Sequence, residues 1–299
     1  MKMTEPPQAV LDRFGIAQGA LLGEGSESWV YALDDARVLR IAKDSARRPH
    51  FEDRMHFYES LPRAALPFAI PRVQAIEEHA GAVVSIEERI HGSPLLAVLP
   101  ALSPGEKRHA FGSFLDAALA LRAVTRPDLP YGELLADRPV TATTWREYLA
   151  MKVRTAAEDP VLRADVPQLA HSAREAQERI AMLAEPEHAL VHGDYFPGNV
   201  LMDESLAVAG VIDFSPMTLI GDPQMDIAGA FLFLEVTPGA TAADSAFMRE
   251  LIVARAGEAI LPVIECYRLY YSFYFAFARD DAPLYRWCVA NLAAAADPR

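Results

Sequence analysis

LVHGDYFPGNVLMD, residues Leu190 to Asp203, sets a histidine, an aspartate and an asparagine within eight positions, beside two glycines and a proline. The flanking runs ALV and NVLM are aliphatic and read as short strands, so the polar residues fall on the loop between them. Polar groups this dense next to apolar strands are costly to bury unless each has a partner. A third run, VAGVIDFS, follows and ends at Asp213. A turn near Glu204 and Ser205 would pair the second and third strands and bring Asn199 and Asp213 to neighbouring positions.

Working outward, the chain up to about residue 90 is strand-rich. ALLGEGSESWVYAL and ARVLRIAK read as three short strands, with Gly23 and Gly25 in the first connection and Asp34–Asp35 in the second. HFEDRMHFYESL has helical spacing through Phe51, Met55 and Tyr58. AIPRVQAIEEHAGAVVSIEERI supplies two more strands around Gly81. The expectation is a five-stranded antiparallel unit with one helix over 1–90. After a connector at Glu88–Gly92 the pattern turns helical over 91–299. SPGEKRHAFGSFLDAALALRAV opens with Ser103 as N-cap, Pro104 at the first helical position and Glu106 three after the cap. TTWREYLAMKVRTAAE and AHSAREAQERIAMLAE are further amphipathic helices, and helices resume near Asp222.

The chain has 299 residues, 52% hydrophobic and 23% charged, with a net charge of −13. That balance is ordinary for a globular protein and argues against nucleic-acid binding, which needs clustered Lys and Arg. It is compatible with a cationic small substrate, and equally serves solubility. The N-terminus lacks the apolar core of a secretory leader and no apolar run reaches membrane-spanning length, so a cytoplasmic, non-membrane protein is expected, as monomer or homodimer. The two cysteines, Cys266 and Cys288, sit in apolar surroundings and read as buried thiols.

Several residues carry chemistry. Gly23 and Gly25 would let a ligand approach the backbone, and Ser26 and Ser28 offer hydroxyls and amides to phosphate oxygens; a plain hairpin turn fits the same residues. In RVLRIAKD either Arg40 or Lys43 is the inward cation. Arg40 is favoured because Lys43 lies at the strand's end, and Glu52 on the next helix is its natural counter-charge. Asn199 and Asp213, projecting from adjacent strands, suit a hard cation such as Mg²⁺ that takes its other oxygens from phosphate and water. Asp194 would face an incoming hydroxyl. Phosphoryl transfer needs this division of labour between a carboxylate for the nucleophile and ligands for charge-neutralising metal.

HGDYFPGN and VIDFSPMTLIGDPQMDIA together resemble the aminoglycoside phosphotransferase and choline kinase group of small-molecule kinases. LPFAIPRV also looks like a stretch of the macrolide phosphotransferases. The resemblance runs from about Leu21 to Phe231. It implies an α+β, bilobal protein-kinase-like fold with a small antiparallel β-sheet lobe and a larger helical lobe. It further implies Asp194 as base, Asn199 and Asp213 as Mg²⁺ ligands, Arg40 on the phosphates of ATP or GTP with Glu52 bracing it, and His192 and Asp226 as supports of the loop. The backbone of Glu88 and Ile90 would meet the nucleotide base. Two features depart from the family: Arg40 stands where the antibiotic kinases usually hold lysine, and Ser28 where protein kinases keep a third glycine.

Asp213 and Asp226 are thirteen residues apart, too close for a long loop that docks a polypeptide, so the acceptor is expected to be a small hydroxylated molecule such as an aminoglycoside, a macrolide or a metabolite. Tyr270, Tyr271, Tyr274 and Phe277 read as core, while Glu265, Asp280 and Asp281 either line a cleft, cap helices or face water. A nucleotide-binding pseudokinase, or a metal-dependent hydrolase on His192, Asp194 and Asp213, are the alternatives.

Overall fold

The computed structural model describes residues 3–17, 19–25 and 27–295. Two compact units form: residues 1–92 with 209–213, and residues 93–208 with 214–299. The small unit therefore owns Asp213 as well as the N-terminal sheet.

In the N-terminal unit, β1 (Leu21–Glu24), β2 (Ser28–Ala32), β3 (Arg37–Ala42), β4 (Val73–His79) and β5 (Ala82–Glu88) form one antiparallel sheet in the order β1-β2-β3-β5-β4. Alternation along β3 divides its side chains between two faces. Leu39 and Ile41 join Trp29, Tyr31, Val84 and Val10 in one apolar cluster, while Ala42 packs with Phe51 and Val83 on the other face. Val10 belongs to α1 (Gln8–Phe14), a helix absent from the sequence expectation of a single helix here. Only seven residues long and lacking a side-chain N-cap, it carries too little periodicity to announce itself. The expected helix is α2 (Arg48–Ser60), with Phe51, Arg54 and Tyr58 buried. Ala69 ties residues 209–211 to this unit: its N–H donates to the Ala209 carbonyl at 2.9 Å, and its carbonyl accepts from Val211 N–H at 3.0 Å.

The C-terminal unit is mainly helical. It starts with β6 (Ser93–Pro94), α3 (Leu95–Val98) and α4 (Pro104–Leu121). Ser103 and Glu106 cap α4 reciprocally, as their spacing predicts. β7 (Tyr131–Glu133), β8 (Thr141–Ala142), α5 (Trp145–Ala157), α6 (Pro160–Asp165) and α7 (Leu169–Met182) follow, then β9 (Ala189–Val191) and β10 (Val200–Met202), which pairs with β6. After β11 (Val208–Val211), β12 (Leu219–Gly221) completes a sheet in the order β8-β7-β12-β9. The chain ends in α8 (Gln224–Leu232), α9 (Ala242–Ala256), α10 (Leu261–Tyr274) and α11 (Ala282–Ala295).

Tyr270 and Tyr271 are core residues, but Phe277 is 61% exposed and is not the core residue its aromatic neighbours suggest. The segment Phe275–Phe277 is a 3-10 turn between α10 and α11, which turns that ring out of the helix's buried stripe. Cys266 and Cys288 are buried free thiols, and burial pushes both up to about 12. Among the described residues no helix is long and apolar enough to cross a membrane.

Candidate active site

The loop after β9 is held by its backbone. Asp226, buried near the start of α8, accepts from the N–H of His192 at 2.8 Å and of Gly193 at 3.0 Å. Gly193 has φ +78°, and a Cβ there would stand 2.0 Å from the Met217 carbonyl oxygen, so only glycine fits the bend. Burial raises the Asp226 carboxyl to about 7; the two N–H bonds pull it back and the charge of Asp194 adds to the rise. His192 is fully buried. Its ring lies 4.7 Å from Phe214 and its Nδ1 accepts the Asp194 N–H at 3.3 Å. Tyr195 anchors the far side by donating its hydroxyl to the Phe114 carbonyl at 2.7 Å.

Asn199 follows on a single 3-10 turn, Pro197–Asn199. Its Nδ2 donates to the Asp194 carbonyl at 2.9 Å and to Asp194 Oδ2 at 3.2 Å. With the amide nitrogen committed to Asp194, the oxygen Oδ1 is what the side chain can turn to a cation. A neutral oxygen of this kind fits the hard-donor preference of Mg²⁺. Asp213 has φ +62°, a left-handed conformation that a non-glycine residue adopts at a cost and that is frequent where function fixes a side chain. Among the described residues, no three His, Cys, Asp or Glu side chains gather into a metal-holding group. His188, four residues before His192, donates its Nδ1–H to the Leu129 carbonyl at 2.6 Å and packs on Tyr131.

In the N-terminal unit Arg40 is about as covered as Lys43, whose side chain is 13% exposed. Arg40 shares its strand face with Ala42, against α2, and its side chain is 12% exposed. The expected brace, Glu52, is not its partner: Glu52 lies on the outer side of α2 and bonds Arg48 at 2.9 Å. Arg40 instead donates from Nε to Glu87 at 2.9 Å and from Nη1 to the Ser28 hydroxyl at 3.1 Å. The reason is register. Arg40 opposes Ser85 across β3 and β5, so Glu87, two residues on, shares its face at a diagonal within reach of a long side chain. Ser85 also donates its hydroxyl to Glu87 at 2.6 Å. On α2 the inward charge is Arg54, paired with Glu27 at 3.3 Å. Burial would depress the Arg40 guanidinium, but the charges of Glu87 and then Asp213 outweigh it and hold its pKa above the ordinary arginine value. Lys43 reaches Glu24 at 2.5 Å and lies over the Trp29 ring.

Gly23 sits at a bulge in β1, and Gly25 N–H donates to the Ser28 carbonyl at 3.0 Å. Ser26 lies outside the described residues. Glu88 ends β5 with its N–H donated to the Arg72 carbonyl, and Ile90 packs where Gly210 leaves no Cβ. Asp194, Asn199, His192 and Asp226 thus come together in the C-terminal unit; Arg40, Ser28, Glu87 and Asp213 belong to the N-terminal one. Glu87 escaped the sequence reading, and only the β3–β5 register could have found it. Glu265 pairs with Arg268 at the surface, and Asp281 caps α11 through Leu284 N–H.

The sequence model of the phosphotransferase enzyme family matches residues 19–263. No curated protein sequence matches the chain. Among solved structures, a thermostable mutant of aminoglycoside phosphotransferase APH(4)-Ia in its apo form is 21% identical, with a TM-score of 0.70 over 97% of each chain. A ternary complex of that protein with ADP and hygromycin B gives a TM-score of 0.71 at 21% identity over 97% of each chain. The GDP complex of wild-type aminoglycoside 2'-phosphotransferase-IIIa is 16% identical, with a TM-score of 0.63, over 97% of this chain and 96% of that one. At these identities the likeness is one of fold.

Proposed function

Since the chain belongs to the phosphotransferase enzyme family, we propose that it transfers the terminal phosphoryl group of ATP or GTP to a hydroxyl of a small molecule, with Asp194 as the base. The observation that carries this reading is the bond from Asn199 Nδ2 to Asp194 Oδ2 on a loop clamped by Asp226. That bond and the clamp position the Asp194 carboxylate, which would orient an acceptor hydroxyl and take its proton. Asn199 and Asp213 are the residues that would hold Mg²⁺, which supplies neutralisation of charge on the transferring phosphate. Arg40, fixed by Glu87 and Ser28, presents its remaining guanidinium N–H groups to phosphate oxygens. Gly23, Gly25, Ser26 and Ser28 would cover the phosphates, and the backbone of Glu88 and Ile90 would meet the base. The structural neighbours, bound to ADP in one case and GDP in another, accord with either donor.

The acceptor is a hydroxylated small molecule, whether an antibiotic such as an aminoglycoside or macrolide or a metabolite. ADP or GDP formation with Mg²⁺ across such a panel tests the reading, with Asp194→Ala beside the wild type. Turnover should fall by about 10²–10⁴-fold in the variant, with nucleotide affinity by calorimetry kept within a few-fold. Equal turnover in Asp194→Ala removes Asp194 as base. Tight nucleotide binding with no turnover by the wild type on any acceptor would make the chain a pseudokinase.

A further inference from the structure

Resting on the phosphotransfer reading, the environment of Asp194 also bears on which acceptors the chain takes. Glu133 ends β7 opposite Leu219, and Leu219 in turn opposes Val191 of β9. The three residues form one row across the sheet, so Glu133 lies two strand spacings, about 10 Å, from Val191. From Val191 the chain passes through His192 and Gly193 to Asp194. Leu134 N–H donates to the Thr218 carbonyl at 2.9 Å, and the Thr218 hydroxyl reaches the His192 carbonyl at 3.4 Å. The edge that carries Glu133 is therefore joined to the loop that carries Asp194.

The C-terminal end of α10 approaches the same loop. Tyr271 donates its hydroxyl to the Met225 carbonyl at 3.0 Å, next to Asp226. Tyr274 lies one turn further along, and its hydroxyl is pushed up by burial, then by the charges of Glu133 and Asp194. Between the two elements stands Lys152 of α5. Its Nζ bonds Glu133 at 2.6 Å and lies 5.1 Å from the centre of the Tyr274 ring.

The donor inventory decides what this cluster can bind. Glu133 is 6% exposed and its carboxylate already accepts from Lys152 and from the Val140 N–H at 2.9 Å. The ring face of Tyr274 is taken by the same ammonium. An incoming ammonium group would find its anion and its aromatic face both occupied by Lys152, and would be repelled by it. An ammonium has three N–H donors, and Glu133 with the ring uses two directions. The lysine side chain is 24% exposed, so the third can reach a ligand. Beyond Tyr274, the exposed Phe277 ring stands nearly perpendicular to it at 6.4 Å and offers an apolar face.

We propose that Lys152, held by Glu133 and Tyr274, is the acceptor-recognising cation of this chain, donating to an oxygen of a sugar-like polyhydroxyl or hydroxy-acid acceptor and excluding ammonium-bearing ones. The test uses the full chain as wild type, Lys152→Met and Lys152→Arg. The probes are a panel of hexoses, polyols and sugar acids, with hygromycin B as the ammonium-bearing member. Binding is read by calorimetry in the presence of AMP-PNP, and turnover by ADP release. Wild type should bind and phosphorylate members of the oxygen-bearing set and not hygromycin B. Lys152→Met should raise their Kd and KM at least tenfold, with the loss falling on KM rather than kcat and the KM for ATP unmoved. Lys152→Arg should recover most of that affinity, which a purely structural role for the ion pair does not require. Preference of the wild type for hygromycin B, no binding of any oxygen-bearing probe, or an unchanged acceptor KM in Lys152→Met each overturns the proposal. Binding that depends on Lys152 without ADP release would uphold it while sinking the phosphotransfer reading.

Discussion

Arg40 and Glu87 form the most consequential pair of residues in the N-terminal unit. Both side chains are nearly buried, and each is the other's main counter-charge, so removal of one strands an ionised group in a poorly hydrated place. Glu87→Ala should therefore lower stability by about 3–5 kcal/mol, read as the shift in a urea or thermal melt. It should also raise the KM for nucleotide, because Arg40 loses the bond that aims it. Glu52→Ala, which breaks only the exposed pair with Arg48, should stay within about 0.5 kcal/mol of wild type. If Glu52→Ala proves the more damaging change, the brace has been assigned to the wrong carboxylate. The sequence offers both Arg40 and Lys43 as inward cations and favours Arg40 only because Lys43 lies at the strand's end. The partner was not legible, since a diagonal across β3 and β5 depends on register, and register is invisible until the strands are paired.

Among the elements, the loop between β9 and β10 depends on neighbours distant in sequence. Its bend at Gly193 meets the Met217 carbonyl, and its N–H groups end on Asp226 of α8. Gly193→Ala would place a methyl group 2.0 Å from that oxygen in a left-handed backbone. The loop must shift to relieve the clash, moving Asp194 by a fraction of an ångström or more. The expected outcome is a fall in kcat of about 10²-fold or more, with nucleotide affinity largely retained; near-normal kcat would mean that loop geometry does not limit the reaction. Local signals of this kind were readable where they were contiguous. Ser103 and Glu106 announce α4 by spacing alone, and HGDYFPGN announces a structured polar loop. What stayed hidden was assembled from distant pieces: Glu133 and Lys152 come from a strand and a helix and meet only once β7 packs beside α5. Phe277 misled for a related reason, because helical periodicity was extended across a 3-10 turn that rotates the ring outward.

At the scale of the whole molecule, the two units carry buried acids that respond to pH in opposite senses. In the N-terminal unit Glu87 is desolvated, yet Arg40 and the Ser85 hydroxyl more than compensate, and its pKa lies below the ordinary value. The stability it contributes is present above the unfolded pKa near 4.3 and is lost as pH falls below it. In the C-terminal unit Asp222 and Asp226 are both raised, chiefly by burial. For Asp226, at about 7, the folded state keeps a proton that an unfolded chain releases near pH 4. Between those values the native state binds more protons than the unfolded one, so stability must fall as pH rises. The contribution is complete below about pH 4 and gone above pH 7, a span worth about 4 kcal/mol. Thermal melts from pH 5 to 8 should show declining stability toward neutrality. Asp226→Asn removes the titrating group, so its melts should lose most of that slope even though the variant begins from a lower stability at pH 5. A slope unchanged in Asp226→Asn would mean that Asp226 stays ionised throughout, with the His192 and Gly193 N–H groups outweighing its burial.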